Sequence, residues 1–182
     1  MNRLPDTYEL DRYGLHVRLV REEDAEFIVR LRTNERNARY IHATSANVAD
    51  QVEWIKRYKA REARGEDYYF IFYFCGVPVG LIRIYDINME KNSVTAGSWV
   101  CEQDLPMHVP ILILIICREI MFDEIGAELD HFDVRKGNKH VLRVHKMMGA
   151  EKISEDEENY YFELTKNDFQ VKKCDVLELL NI

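Results

Sequence analysis

Several residues in this chain have types and spacings suited to chemistry. His145 lies four residues before Gly149, in a stretch where Val141, Val144, Met147 and Met148 recur at helical spacing. An imidazole can give or take a proton near neutral pH; the alternative is a packed or surface histidine. Asn138 opens that helix, as an N-cap does. Glu102 closes a strand-like run, where a carboxylate acts as a general base or is merely solvated. Arg32, Arg36 and Arg39, with Tyr40, crowd a polar segment. Guanidinium groups grip phosphate in a fork; the alternative is an ordinary basic turn. The loop Leu105-Pro106-Met107-His108-Val109-Pro110 precedes an apolar helix. The amides at a helix start attract anions, although the two prolines carry no N–H.

Composition narrows the function classes. The chain has 182 residues, 47% of them hydrophobic and 31% charged, which suits one folded domain and excludes disorder. A net charge of −7 argues against a nucleic-acid partner, which asks for a basic surface. The longest apolar run, 109–117, falls far short of a membrane span. The N-terminus has no apolar leader core, so the cytoplasm is expected. Cys75, Cys101, Cys117 and Cys174 are scattered without a Cys-x-x-Cys pair and read as reduced thiols, with no metal site. The acidic run Glu155-Asp156-Glu157-Glu158 reads as a solvated turn.

The elements that must position these residues follow from periodicity. Residues 1–13 read as a loose arm, and Leu15, Val17 and Leu19 alternate as a half-buried strand. A helix over 24–32 places Phe27, Ile28 and Leu31 on one face. Ser45 is the expected cap of a helix over 46–64, with Val48, Val52 and Ile55 inward and Gly65 closing it. Strands follow at 68–74 and 77–85, joined by the Cys75-Gly76 turn, and, after a polar turn over 86–92, at 94–102. Pro110 opens a helix to 122, and a strand covers 128–134. The helix 138–148 stops at Gly149, a natural C-cap, with Val141, Val144, Met147 and Met148 buried. A hairpin of 151–154 and 160–165 and a short last helix from Asp168 complete the chain. The helical crossover makes strands 94–102 and 128–134 parallel. The class is α+β: a mixed central sheet of about seven strands with helices on both faces.

The order of five fragments carries a resemblance. They are Leu31-Arg32-Thr33-Asn34, Glu53-Trp54-Ile55, Val77-Pro78-Val79-Gly80-Leu81-Ile82, Gly97-Ser98-Trp99-Val100 and Asn138 followed by His145-Lys146-Met147-Met148-Gly149-Ala150. Together they resemble the GCN5-related N-acetyltransferase (GNAT) superfamily over residues 14–166 of a single domain, 1–182. The likeness is greatest to bacterial enzymes that acetylate ribosomal-protein or other N-terminal amines, and to those that acetylate nucleotide-linked amino sugars.

The resemblance implies acetyl-CoA as cosubstrate, without a metal, in a cleft where strands 94–102 and 128–134 part. The pantetheine arm would pair with the backbone of Trp99, Val100 and Cys101. The diphosphate would lie on the first amides of the helix after the loop. The family's loop is Gln/Arg-x-x-Gly-x-Gly/Ala; here Leu105, His108 and Pro110 occupy those positions, leaving the amides of Met107, His108, Val109 and Ile111. Asn138 would touch the cofactor, His145 would protonate the leaving thiolate, and Glu102 would act as base. Arg32, Arg36, Arg39 and Tyr40 would line the acceptor side.

The resulting expectation is an N-acetyltransferase acting on a small-molecule primary amine, with an amino sugar favoured. A protein or peptide N-terminal amine, and a non-catalytic binding module on the same fold, are the alternatives; a homodimer is left open. The sugar predicts a compact basic pocket near Arg32 to Arg39, the N-terminus an open acidic groove, and the module no pocket between the two strands.

Overall fold

The computed structural model describes residues 1–182. Eight strands form one sheet: β1 (Glu9–Arg12), β2 (Leu15–Leu19), β3 (Tyr68–Phe74), β4 (Val77–Asn88), β5 (Ser93–Cys101), β6 (Leu129–Arg135), β7 (Glu151–Glu155) and β8 (Asn159–Thr165). Their order across the sheet is β1-β2-β3-β4-β5-β6-β8-β7. All neighbours are antiparallel except β5 and β6, the expected parallel pair. That pair is short: only Ser93 with Leu129 and Val94 with Asp130 are in register.

Six α-helices flank the sheet: α1 (Ala25–Thr33), α2 (Glu35–Ala38), α3 (Val48–Ala63), α4 (His108–Glu119), α5 (Lys139–Met147) and α6 (Lys166–Leu179). The alternation of β-strand side chains divides the core in two. On one face Ile28, Leu31, Ile55 and Tyr58 of α1 and α3 pack on Tyr69, Ile71 and Leu81. On the other, α4, α5 and α6 pack on Phe70, Phe72, Ile82, Phe132 and Phe162. Helix α4 is buried all round, as its unbroken Ile and Leu run requires.

Several expectations change in detail. The N-terminal arm is not loose: Leu4 and Tyr8 are buried, and β1 adds an eighth strand where about seven were expected. Its signal was the Tyr13-Gly14 pair, both at positive φ, which is the chemistry of a two-residue hairpin turn. Asn47, not Ser45, caps α3 by accepting from the Ala49 amide. Val48 is therefore the first helical residue and stays 39% exposed. Pro110 stands third in α4 rather than first. That helix continues as a π-helical turn, Ile120–Ile125, until Gly126 in the left-handed conformation ends it. In α5 the buried stripe includes Val144, His145 and Met148, and Met147 lies outside it at 37% exposure. The stripe runs at i, i+1 and i+4, which a 3.6-residue period allows and which Met147 misses.

Gly149 ends α5 at φ +91°, and a Cβ there would lie 3.2 Å from Lys172 Cγ and 3.4 Å from the Asp168 carbonyl oxygen. Gly149→Ala is expected to lower stability by about 1–2 kcal/mol, read from the urea midpoint. An unchanged midpoint would show that α5 can end without a left-handed residue.

Candidate active site

A buried ion pair marks the place where β5 leaves β6. Asp130 and Arg118 are both fully buried. One Asp130 oxygen accepts the Ala96 amide at 3.0 Å, in the position where a β6 carbonyl would otherwise continue the ladder. The other accepts from Nε and Nη2 of Arg118, each at 3.2 Å. Thr95 Oγ1 donates to the His131 carbonyl at 2.8 Å, so a side chain stands in for backbone here too. Beyond this point β5 has no strand partner on the β6 side. Burial pushes the Asp130 carboxyl up, and the Arg118 guanidinium opposes that rise.

Arg118 also reaches His145. Its Nη2 lies 2.9 Å from His145 Nδ1, and its Nη1 lies 3.1 Å from Met148 Sδ. A guanidinium can only donate, so Nδ1 accepts and the ring proton is on Nε2. Burial first, and the Arg118 charge second, hold the His145 pKa well below its usual value. The imidazole packs 4.4 Å from the Phe132 ring and edge-on to Trp99 at 6.2 Å.

A cleft of about 480 Å³ opens between the parted strands. The β5 wall is bulged: Gly97 pairs with Arg83 and Val100 with Leu81, so Ser98 and Trp99 together oppose Ile82, and Ser98 takes φ +53°. Gly97 admits the Tyr85 hydroxyl, which would lie 2.5 Å from a Cβ. Phe132, Asn138, Val141 and His145 form the opposite wall, with Pro110 and Leu114 of α4 at the base. The Trp99 indole N–H is buried, with only the weakly accepting Cys101 sulfur near it and no well-aligned partner. Asn138 caps α5 through Val141 at 3.4 Å, leaving its amide nitrogen free. Burial raises the Cys101 thiol to about 12, so this thiol is no nucleophile.

The cleft runs through to a second mouth of about 240 Å³, lined by Tyr40, His42, Tyr85, Asp133 and Tyr161. The Tyr40 hydroxyl donates to the Gly137 carbonyl at 3.2 Å and ties the α2 segment to the loop before α5. Arg135 pairs with Glu158, whereas the Asp133 carboxylate makes no ion pair or hydrogen bond.

Residues 15–151 match the family model for the acetyltransferase (GNAT) domain. The chain belongs to the GNAT family. A solved structure described as apo FdhC, a nucleotide-linked sugar GNAT, is 37% identical, with a TM-score of 0.85 over 93% of this chain and 97% of that one. Ribosomal-protein-S5-alanine acetyltransferase from Vibrio fischeri shares 12% identity, with a TM-score of 0.76 over 89% and 98%. Spermidine N-acetyltransferase from Vibrio cholerae, in complex with CoA and spermine, shares 13%, with 0.75 over 87% and 99%. The last two show the likeness of fold alone.

The GNAT cleft brings together Trp99, Val100, Cys101, Glu102, Asn138 and His145, with Arg36 and Tyr40 at its edge. It does not include Arg32, which bonds Thr44 Oγ1 at 2.7 Å in a separate hollow, or Arg39, which lies over Tyr40. Glu102 is held by Arg30 at 2.5 Å rather than free as a base. His145 is neutral and accepts from a cation, which does not suit a cationic acid for the thiolate. In the glycine-free loop, the Val109 amide is already donated to the Pro106 carbonyl, whereas the amides of Met107, His108 and Ile111 make no such loop bond. These amides, the unpaired β5 edge and the Asn138 amide fit a coenzyme A arm, with fewer phosphate donors than the family's usual loop.

Arg118, Asp130 and Asp133 were not singled out by sequence reasoning. Arg118 had a signal: a charge, with Glu119 beside it, directly after the apolar run 109–117 of a buried helix must find a buried partner. His145 titrates near 6.5 in an unfolded chain, and in the fold it stays neutral well below that. Below pH 6.5 the unfolded chain therefore binds a proton that the native protein does not, so stability falls with pH. From pH 7.5 to 5.5 the protein should lose about 1.4 kcal/mol more than His145→Gln in urea unfolding. Equal losses would mean that His145 is protonated in the fold.

Proposed function

We propose that the protein acetylates the amino group of a nucleotide-linked amino sugar, with acetyl-CoA as donor. The observation that carries this reading is the 37% identity, over nearly the full length of both chains, to a GNAT described as acting on nucleotide-linked sugar. A thioester, when bound, supplies an acyl group activated toward amines. Trp99, Val100 and Cys101 offer it a free strand edge, and Asn138 offers an amide. The Trp99 N–H, which has at most a weak sulfur acceptor, and the His145 Nε2–H are neutral donors suited to oxygen.

The second mouth supplies the acceptor side. Asp133 is a free carboxylate there and draws in an ammonium group. It is better suited than Glu102 to orient the amine and pass its proton to solvent, because Arg30 occupies Glu102. Arg36 lines the cleft beside Asp133 and Glu102, and Arg135 is there too, shared with Glu158; this mixed charge favours a sugar over the open acidic groove expected for a peptide N-terminus. The open cleft itself speaks against a non-catalytic module.

The test is acetyl transfer to three acceptors: nucleotide-linked amino sugars, a peptide with a free N-terminus, and spermidine. The highest kcat/KM is expected for the sugars, and transfer to the peptide alone would overturn the reading. Asp133→Asn should lower kcat/KM about 10- to 100-fold, the worth of one charge-assisted hydrogen bond, and more than Glu102→Gln does. The reverse order would return the base to Glu102.

A further inference from the structure

The hollow that holds Arg32 is separate from the coenzyme cleft, and nothing in the transfer chemistry above uses it. Its volume is about 350 Å³. Its lining carries three arginines, Arg32, Arg57 and Arg83, against one carboxylate, Asp50. Two of the arginines have no acidic partner. Arg32 donates only to neutral oxygens, Thr44 Oγ1 at 2.7 Å and the His42 carbonyl at 3.3 Å. Arg57 is exposed and is held by no salt bridge, its charge acting only at longer range on Glu53. Arg83 is held by buried Asp67 at 2.6 Å and lies 5.2 Å from the Trp54 ring centre. Asp50 is fixed by the Ser45 hydroxyl at 2.7 Å.

A second observation points to a ligand. Tyr69, only 1% exposed, lines the same hollow, and its hydroxyl is buried without a hydrogen-bond partner. Arg32 faces the hydroxyl oxygen closely enough to act on it electrostatically and as a loosely aligned donor, but a guanidinium accepts nothing, so the O–H hydrogen has no acceptor. A buried hydroxyl left unpaired costs free energy unless something completes it. Uncommitted guanidinium groups beside a free O–H make a donor-only surface, which suits phosphate oxygens. His42 lines both this hollow and the acceptor mouth, so the two are neighbours along one wall.

We propose that this hollow is the diphosphate subsite of the acceptor, with Arg32 and Arg57 as its charged donors and Tyr69 as its neutral one. A nucleoside diphosphate held here leaves the attached amino sugar to extend past His42 toward Asp133. The assignment rests on the sugar-nucleotide reading above and names the part of the protein that tells such a sugar from a free one.

The test is calorimetric titration with uridine diphosphate, thymidine diphosphate and inorganic pyrophosphate, with and without saturating acetyl-CoA. A diphosphate should bind in both conditions. Arg57→Ala, at an exposed position that leaves packing intact, and Arg32→Gln should each weaken it about tenfold or more. Acetyl-CoA affinity should not change. No binding at millimolar diphosphate, binding abolished by acetyl-CoA, or variants that bind diphosphate as tightly as the unsubstituted protein would overturn the proposal. Steady-state kinetics separate it from the reading beneath it. If sugar-nucleotides are acetylated with the same kcat/KM in Arg57→Ala, the subsite falls and the activity stands. If diphosphate binding is lost in the variants but no amino sugar is acetylated, the activity falls and the subsite stands.

Discussion

One buried ion pair decides the shape of this protein. A parallel pair of strands, once started, gains a hydrogen bond at nearly every step and tends to continue. Here β5 and β6 stop after Val94, because Asp130 puts a carboxylate where the next backbone acceptor would be. That carboxylate is tolerable in the core only because Arg118 neutralises it and the Ala96 amide completes it. Replacing Arg118 alone would leave a buried, unpaired charge, among the costliest states a core can hold. The remaining features depend on this wedge. The parting of β5 from β6 and the neutral state of His145 both follow from where Arg118 and Asp130 lie.

The same wedge separates two kinds of chemistry. Toward α4 and α5 the cleft offers neutral donors: strand amides, the Trp99 indole and the Asn138 amide. Such groups suit a long, largely uncharged arm. Toward the second mouth the groups are charged or phenolic, with Asp133 free and Tyr40 closing the rim. The polarity thus changes along a single passage through the sheet. A buried neutral histidine at the boundary donates without adding charge.

Much of the architecture was legible in the sequence because period and punctuation agree there. The aromatic run of β3, the parallel partnership of β5 and β6, and Gly149 as the end of α5 all followed from pattern and turn chemistry. The losses have physical causes. β1 is short and half-exposed, so its apolar signal is faint beside that of its turn. Val48 and Met147 are apolar residues at helix ends, where packing rather than hydropathy decides which side is covered. At the site, residue types were readable but partnerships were not. His145 looked like a proton donor until Arg118, 27 positions away, appeared beside it. Glu102 looked like a free base until Arg30 was found on it. Arg32 belonged to a basic hollow, as its type suggested, but not to the cleft.

The central claim is that Asp130 holds β5 away from β6 and leaves its edge open for a ligand. Amide hydrogen exchange, followed residue by residue by NMR, tests it most directly. In the protein alone the Ala96 amide should exchange slowly, and amides among 97–101 should gain protection when acetyl-CoA is added. A fast-exchanging Ala96 amide, or a β5 edge whose exchange acetyl-CoA leaves unaltered, would contradict the account.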